Sequence, residues 1–214
     1  DYTNLKYGIQ LMMWGYFKKM VIADRAAVLV NTVLDDPWSY SGSILAVGVL
    51  FYCIQLYGDF SGGIDIARGV ARMFGIDLAE NFRRPIFSTS LTDFWRRWHI
   101  SLSTWLRDYL YISLGGNRKG RIRTYFNLLV TMLLGGLWHG AAVRFILWGA
   151  LHGIALALHK LWLSVVPGSK ATGAEMRWFW RIPGIFFTFN LVCFGWLMFR
   201  AESMKTVQLM LHQI

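Results

Sequence analysis

Several apolar runs in this chain approach or reach the length needed to cross a lipid bilayer, which for a helix is about 20 residues. The clearest are Ile44–Phe60, Tyr125–Trp138, Val143–Leu163 and Ile182–Phe199, and a shorter candidate, interrupted by lysines, lies at Ile9–Ala23. Apolar residues fill 55% of the 214 positions, and the mean hydropathy is +0.39. The sequence therefore predicts an all-α, polytopic integral membrane protein; a soluble helical protein with an oversized core is the alternative.

Tyr125–Trp138 is too short to span a bilayer alone. We expect a tilted, broken or re-entrant segment there, because irregular backbone is tolerated at membrane depth only where protein or a wet cavity satisfies its hydrogen bonds. The chain also carries 11 tryptophans and 9 tyrosines, many near the ends of the apolar runs. These side chains favour the membrane–water interface, which supports the membrane prediction.

The charged residues are mainly basic and lie between the apolar runs. Lysine and arginine total 22 against 12 acids, a formal net charge of +10. The cations cluster at Arg83-Arg84, at Arg96-Arg97 and from Arg118 to Arg123. Such clusters are typical of cytoplasmic loops under the positive-inside rule, and we prefer this interpretation to nucleic-acid binding. They would also attract anionic lipid headgroups or an acidic protein partner.

The chain shows no internal repeat, and residues 1–214 are interpreted as one membrane-embedded core region. It begins at Asp1 without an initiator methionine or a signal peptide, so we expect a piece of a longer protein. A linker between two spanning helices is predicted at Val166–Glu175, where Pro, Gly and Ser occur together. Cys53 and Cys193 lie inside apolar runs without ligand spacing, so neither a disulfide framework nor a metal site is predicted.

Ionisable side chains within apolar segments are costly, which makes each of them a functional candidate. His139 lies in "LLGGLWHGAA", where Gly135, Gly136 and Gly140 allow a helix to break or another backbone to approach closely. An imidazole there could take a proton from a hydroxyl and return it near neutral pH. The alternative is a buried histidine that only donates a hydrogen bond to a backbone carbonyl.

His99 lies in the basic, aromatic stretch "DFWRRWHISLSTWLRDYLY". Trp95, Trp98 and His99 recur at helical spacing with later apolar residues, which predicts one amphipathic helix at the membrane interface. The alternative to a functional role is a surface helix with snorkelling arginines.

Two further polar groups of residues are candidates. His152 and His159, preceded by Arg144 and Trp148, form one stripe along an apolar helix, and a helix-packing role is the preferred interpretation. Asp59 and Asp65 flank Gly62-Gly63 and could orient a substrate or bind a cation, or they could cap a broken helix.

The segments "NFRRPIFSTSLTDFWRRWHISLSTWLRDYLYISLGGNRKG" and "GGLWHGA" resemble the membrane-bound O-acyltransferase family, in particular its bacterial branch that O-acetylates polysaccharides such as alginate. The resemblance extends from about Lys18 to Gly153. It implies a ring of transmembrane helices around a tunnel, with re-entrant and interfacial helices, of which this chain is a central fragment. It implies that His139 is the essential catalytic residue and that His99 is the second active-site histidine. By the same resemblance, Gln55, Asp59 and Asp65 belong to the polar lining of the chamber. Further candidates for substrate-binding or chamber-lining groups are Trp138, Arg144 and His152.

The implied reaction is transfer of an acetyl group from a cytoplasmic donor to a hydroxyl of an extracytoplasmic polysaccharide, in the bacterial inner membrane. The donor would be acetyl-CoA or a carrier-bound acyl group, and neither a bound cofactor nor a metal is implied. The expected partners are the lipid bilayer, the polysaccharide acceptor and periplasmic or other extracytoplasmic acetylation proteins. D-alanyl transfer in teichoic acid modification is the alternative within the family, and a non-enzymatic transporter or scaffold is the alternative outside it.

Two positions depart from the family pattern. Ser113 stands where relatives commonly have a proline, and Val143-Arg144 follow "HGAA" where an aromatic and a small polar residue are common. Arg144 adds a cation near His139, which could change the preference for the acyl donor or the local pKa. This departure affects the identity of the substrate more than the class of reaction.

Overall fold

The computed structural model of the chain describes residues 1–166 and 178–214, and most of these residues form helices. Apart from Val166, the predicted linker Val166–Glu175 lies outside the described residues. The α-helices are α1 (Tyr2–Tyr16), α2 (Asp24–Leu34), α3 (Gly42–Met73), α4 (Leu91–Trp95), α5 (Ile100–Trp105), α6 (Arg121–His139), α7 (Val143–Val165), α8 (Trp178–Arg200) and α9 (Met204–Gln213). Two π-helical segments, Phe17–Ala23 and Leu106–Tyr111, continue α1 and α5.

Within the described residues, α3, α7 and α8 are long and apolar enough to cross a membrane. They contain the three longest predicted spans, which confirms that part of the sequence analysis. Their lipid-compatible surface is visible on α7, where Ile154, Leu158 and Trp162 expose about half or more of their side chains. A large exposed apolar surface is unfavourable in water and ordinary in a bilayer. Tyr125–Trp138 falls inside α6, and its re-entrant character stays a prediction.

The chain packs as two compact units, Asp1–Asn81 with Arg200–Ile214, and Phe82–Phe199. In the first unit, α1 lies against α3 through glycines spaced seven residues apart on each helix. A Cβ atom on Gly8 would lie 2.6 Å from the carbonyl oxygen of Gly69, and one on Gly15 would lie 2.7 Å from that of Gly62. Small residues at such positions let two helix backbones approach closely.

A buried lysine links the π-helical segment to α3 in this unit. Lys18 donates to Asp65 Oδ2 over 2.6 Å and to Ser61 Oγ over 3.0 Å, and Arg68 lies 3.5 Å from the other oxygen of Asp65. The neighbouring Lys19 instead forms more exposed ion pairs. Buried charges are tolerated when they are paired and hydrogen-bonded in this way.

The interpretation of Asp59 and Asp65 as caps of a broken helix is wrong, because α3 is continuous through Gly62-Gly63. Its backbone amides are satisfied within the helix, so no capping acceptor is needed. Gly62 instead serves the approach to α1: a Cβ there would lie 2.8 Å from Gly15 O, while one on Gly63 would meet nothing.

In the second unit, α6 and α7 form a tight helical hairpin. A Cβ atom on Gly136 would overlap the carbonyl of Phe145, and one on Gly153 would lie 2.9 Å from Leu129 Cα. The core beside this hairpin contains Met132, Trp148 and Met198 from α6, α7 and α8. The glycines therefore bring α6 close enough to α7 for large aromatic side chains to fill the remaining space.

The prediction of one continuous amphipathic helix around His99 is wrong, because the helix is interrupted. α4 ends at Trp95, and helix resumes only at Ile100, because His99 adopts a left-handed conformation with φ of 45°. The intervening residues make contacts outside any helix: Arg83 N–H donates to the Arg97 carbonyl over 2.9 Å, and Phe82 pairs with Trp98. Trp95 therefore lies on α4 and Trp98 lies outside any helix, whereas the later apolar residues of the predicted stripe lie on α5 and the segment after it.

Candidate active site

His139 is the last residue of α6 and lies at the turn into α7. Gly140 follows with φ of 154°, a conformation that residues with a side chain rarely adopt, and its N–H donates to the Leu137 carbonyl. Helix α7 then begins at Val143. The predicted helix break thus occurs after His139, while Gly135 and Gly136 remain helical and serve close packing.

The His139 imidazole is half-buried among aromatic rings from three helices. The ring centroids of Trp148 and Phe199 lie 5.4 Å and 5.0 Å from that of His139, both nearly perpendicular, and the neighbouring Trp138 ring lies at 4.9 Å. The ring centroid of Phe145 lies 6.3 Å from that of His139. Sequence reasoning missed Phe145 and Phe199 as neighbours of His139; Phe199 has no signal of this in the sequence because it comes from a distant helix.

His99 is held by its backbone at the start of α5. It is one of two residues other than glycine with positive φ among those described, and its carbonyl accepts a hydrogen bond from Ser103 N–H over 3.0 Å. Before it, Ser90 and Asp93 fix α4, since Ser90 Oγ accepts from Asp93 N–H and an Asp93 carboxylate oxygen accepts from Thr89 N–H. Strained backbone of this kind is concentrated at functional sites.

His99 and His139 lie within electrostatic reach of each other, although they are distant in the sequence. Burial, and to a smaller extent the charge that His139 carries when protonated, lower the pKa of His99 to about 4. Burial also lowers the pKa of His139, which lies outside the three candidate spanning helices. Both imidazoles are therefore neutral near pH 7, and a neutral imidazole offers one N–H donor and one basic nitrogen.

Three buried side-chain nitrogens belong to a group of rings that contacts His139 through Trp148. Among the described residues, Trp95 Nε1, Trp148 Nε1 and His152 Nε2 have no hydrogen-bond partner. Their rings are in mutual contact, with the Trp148 centroid 5.7 Å from Trp95 and 4.6 Å from His152. Gly195 of α8 leaves room for them, because a Cβ there would lie 2.9 Å from His152 Cε1. Unsatisfied buried groups are unusual and call for an explanation in function or strain.

The other candidates of the second unit take varied positions. Trp138 is 62% exposed, and the Arg144 guanidinium lies 4.9 Å from the centre of the Phe145 ring. His152 is fully buried, and His159 Nδ1 lies 3.1 Å from Thr92 Oγ1 of α4. The His159 contact agrees with the helix-packing interpretation, since it joins two helices.

Gln55, Asp59 and Asp65 belong to α3 of the first unit. Asp65 pairs with Lys18, and Asp59 lies 2.7 Å from Lys19 Nζ, while Gln55 Oε1 is buried without a partner among the described residues. Their role as chamber-lining groups stays a prediction.

The sequence profile described as "MBOAT, membrane-bound O-acyltransferase family" matches residues 7–204, nearly the whole chain. The chain belongs to the membrane-bound O-acyltransferase family. It is 50% identical over 205 residues to the "Probable alginate O-acetylase AlgI" of Pseudomonas fluorescens, covering 92% of this chain and 38% of that protein. It is 40% identical over 209 residues to the "Peptidoglycan O-acetyltransferase" of Helicobacter pylori, covering 96% of this chain and 38% of that protein. It is also 31% identical over 214 residues to the "Teichoic acid D-alanyltransferase" of Streptococcus thermophilus, covering 91% of this chain and 51% of that protein.

Membership of the membrane-bound O-acyltransferase family confirms the resemblance on which the sequence analysis depended, together with the all-α membrane fold. The chain spans 38% of the length of the AlgI relative that it matches. This segment contains both candidate histidines. Because it spans only part of its relatives' length, the activity of the whole protein is treated as a proposal.

Proposed function

We propose that this chain is the catalytic part of a bacterial membrane O-acyltransferase that moves an acetyl group to a hydroxyl of an extracytoplasmic polysaccharide. The observation that carries the proposal is the position of His139, half-buried at the turn from α6 into α7 among aromatic rings of three helices, with His99 at the left-handed start of α5 in the same unit. Membership of an acyltransferase family and 50% identity to an alginate O-acetylase support the same reaction.

His139 is the proposed general base. Its lowered pKa keeps the basic nitrogen available near neutral pH. That nitrogen takes the proton of the acceptor hydroxyl while the hydroxyl oxygen attacks the acyl carbon. The bond from the acyl carbon to the donor then breaks, and His139 returns the proton to the leaving group. The products are the acetyl ester and the free donor, so protons and charge balance.

His99 is proposed to stabilise the oxyanion that develops on the acyl oxygen. A neutral imidazole can donate its N–H to that oxygen without giving up a proton. The left-handed backbone at His99 supports this role, because it fixes the start of α5 and with it the direction of the side chain.

The donor is proposed to be acetyl-CoA or a carrier-bound acyl group on the cytoplasmic side. The intact protein would lie in the bacterial inner membrane and act with extracytoplasmic acetylation proteins on a polysaccharide acceptor. The membrane-compatible helices and the bacterial relatives support this location.

D-alanyl transfer is the second candidate, because the chain is 31% identical to a teichoic acid D-alanyltransferase. The higher identity to an alginate O-acetylase and to a peptidoglycan O-acetyltransferase favours acetyl transfer. A transporter or scaffold would require neither histidine.

The test compares His139→Ala and His99→Ala with the wild-type intact parent protein in membranes at matched expression. Labelled acetyl and D-alanyl donors are supplied, and label in polysaccharide is measured. We expect His139→Ala to lower transfer about a hundredfold to ten-thousandfold, as loss of a general base does. His212→Ala is the control, because His212 is exposed on α9. Wild-type transfer by His139→Ala, with correct membrane insertion, would refute the proposed function.

A further inference from the structure

The imidazole of His139 lies in a corner formed by two aromatic rings that are nearly perpendicular to each other. The rings of Trp148 and Phe199 have centroids 5.1 Å apart and an interplanar angle of 79°. Their planes are inclined to that of His139 by 84° and 80°. Each of the three rings therefore meets the other two edge to face, an arrangement that aromatic pairs favour. We call the pair Trp148 and Phe199 the aromatic corner.

The aromatic corner restricts how the imidazole can turn. Because its two rings face different directions, a rotation of the imidazole that preserves the perpendicular contact with one ring disturbs the contact with the other. Close packing leaves little space into which a side chain can move. His139 is also the last residue of α6, so helical backbone continues on only one side of it. The direction of its side chain therefore depends strongly on these tertiary contacts.

Trp148 is itself held by a second layer of side chains. It is 4% exposed, and its ring centroid lies 4.6 Å from that of His152 and 5.7 Å from that of Trp95. On α8, a Cβ atom on Gly195 would lie 3.3 Å from both Cδ1 and Nε1 of Trp148, so this helix closes a further side. An indole enclosed in this way has few alternative rotamers and forms a rigid wall.

The aromatic corner also contributes to the protonation state of His139. Burial lowers the pKa of this histidine, and Trp148 and Phe199 are among the rings that bury it. Apolar surroundings disfavour the charged imidazolium and leave the neutral imidazole unaffected. The same two rings therefore act on both the direction and the basicity of the imidazole.

We propose that Trp148 is a positioning residue for acyl transfer: together with Phe199, it sets the direction in which His139 presents its basic nitrogen to the acceptor hydroxyl. This role rests on the proposed function, in which His139 is the general base. It extends that function to a residue that acts through His139 and not on the reacting atoms. A misplacement of about 1 Å in a reacting group can cost about a hundredfold in rate, so the wall that Trp148 provides is important for turnover.

The first test measures acetyl transfer by the intact parent protein in membranes, at matched expression and over a range of donor concentrations. Trp148→Leu and Phe199→Leu each remove one ring of the aromatic corner, whereas Trp148→Phe keeps a ring at that position. Trp162→Leu is the matched control, because Trp162 lies on the same helix and is 60% exposed.

We expect Trp148→Leu and Phe199→Leu to lower kcat about tenfold to a hundredfold, with KM for the donor within about twofold of wild type. Trp148→Phe should recover most of the loss, and Trp162→Leu should be near wild type. Loss of folded protein would also lower the apparent kcat, so a second measurement follows His139 itself.

The second test is carbethoxylation of His139 by diethyl pyrocarbonate, quantified by mass spectrometry of the peptide that contains it. The reagent modifies the neutral imidazole, so the pH midpoint of the rate reports the pKa of His139. Removal of Trp148 exposes the imidazole to water, and the midpoint in Trp148→Leu should rise toward the ordinary value of 6.5. The rate at His159, which joins α7 to α4, should stay as in wild type if the unit remains folded.

The proposal is overturned if Trp148→Leu transfers acetyl within about twofold of wild type, or if Trp148→Phe loses as much activity as Trp148→Leu. It is also overturned if the midpoint at His139 stays unchanged in Trp148→Leu. If His159 becomes reactive in Trp148→Leu, Phe199→Leu decides by the same criteria for activity and midpoint. Wild-type transfer by His139→Ala refutes the proposed function, whereas the modification of His139 requires no turnover and tests the aromatic corner separately.

Discussion

The buried ion pair between Lys18 and Asp65 should make a large contribution to stability that depends on both partners. Their side chains are only 10% and 15% exposed, and Lys18 has a second hydrogen bond to Ser61. Removing one partner of a buried pair leaves an uncompensated charge, which costs about 3 to 5 kcal/mol of the free energy of unfolding.

The two single variants should differ in a direction that the structure sets. In Lys18→Met, Asp65 keeps Arg68 at 3.5 Å, so the loss should fall at or below the lower end of that range. In Asp65→Leu, Lys18 retains only the Ser61 hydroxyl, so the loss should be the larger of the two. The double variant should recover most of the stability, because two apolar side chains leave no buried charge.

The measurement is reversible unfolding of the intact protein in mixed micelles by titration with a denaturing detergent. Lys19→Met is the matched control, since this adjacent lysine is 41% exposed and its partners Asp24 and Asp59 are 50% and 42% exposed. Exposed pairs contribute about 0 to 1 kcal/mol, so the control should change little. The reasoning would be refuted if Lys18→Met and Lys19→Met were equally stable, or if the double variant were no more stable than Asp65→Leu.

Two further predictions concern packing and pH. Gly136→Ala should lower the free energy of unfolding by about 1 to 3 kcal/mol, because its Cβ would overlap the Phe145 carbonyl. Gly63→Ala, whose Cβ would meet nothing, should be neutral or stabilising by up to about 1 kcal/mol in the same assay, and equal losses would contradict this account. Burial lowers the pKa of His99 from 6.5 to about 4, so between these values the unfolded chain binds more protons than the folded one. Stability should therefore be fully present above pH 6.5 and should fall as the pH drops toward 4. A Tm series from pH 7.5 to 4.5 should show a shallower decline for His99→Gln than for wild type, and identical declines would contradict the assignment.

Much of the fold was predictable because hydropathy is a local property. The runs in α3, α7 and α8 identify membrane-compatible helices, since each segment must satisfy its own backbone in lipid whatever its neighbours do. The limits of this logic are visible at one glycine pair. Gly62-Gly63 suggested a break in α3, but the helix continues because Gly62 meets the backbone of α1.

The candidate site was predictable in its residue types and not in its arrangement. The motifs around His99 and His139 identified two histidines, and periodicity placed His99 on one continuous helix. The structure interrupts that helix at His99, because Arg97 and Trp98 pair with the preceding segment Phe82-Arg83 instead. The Phe199 ring beside His139 and the unpartnered nitrogens around Trp148 have no local signature, since they depend on how α8 packs against α7.

The helical, membrane-compatible class of this protein can be derived from the linear sequence, together with its family and its two candidate catalytic histidines, because apolar runs and dense motifs are properties of single segments. Tertiary packing sets which charges pair, where the helix around His99 stops, and which aromatic rings surround His139. These features depend on side chains from different elements, and their contacts form only when glycine-lined helices approach closely enough to exclude other arrangements.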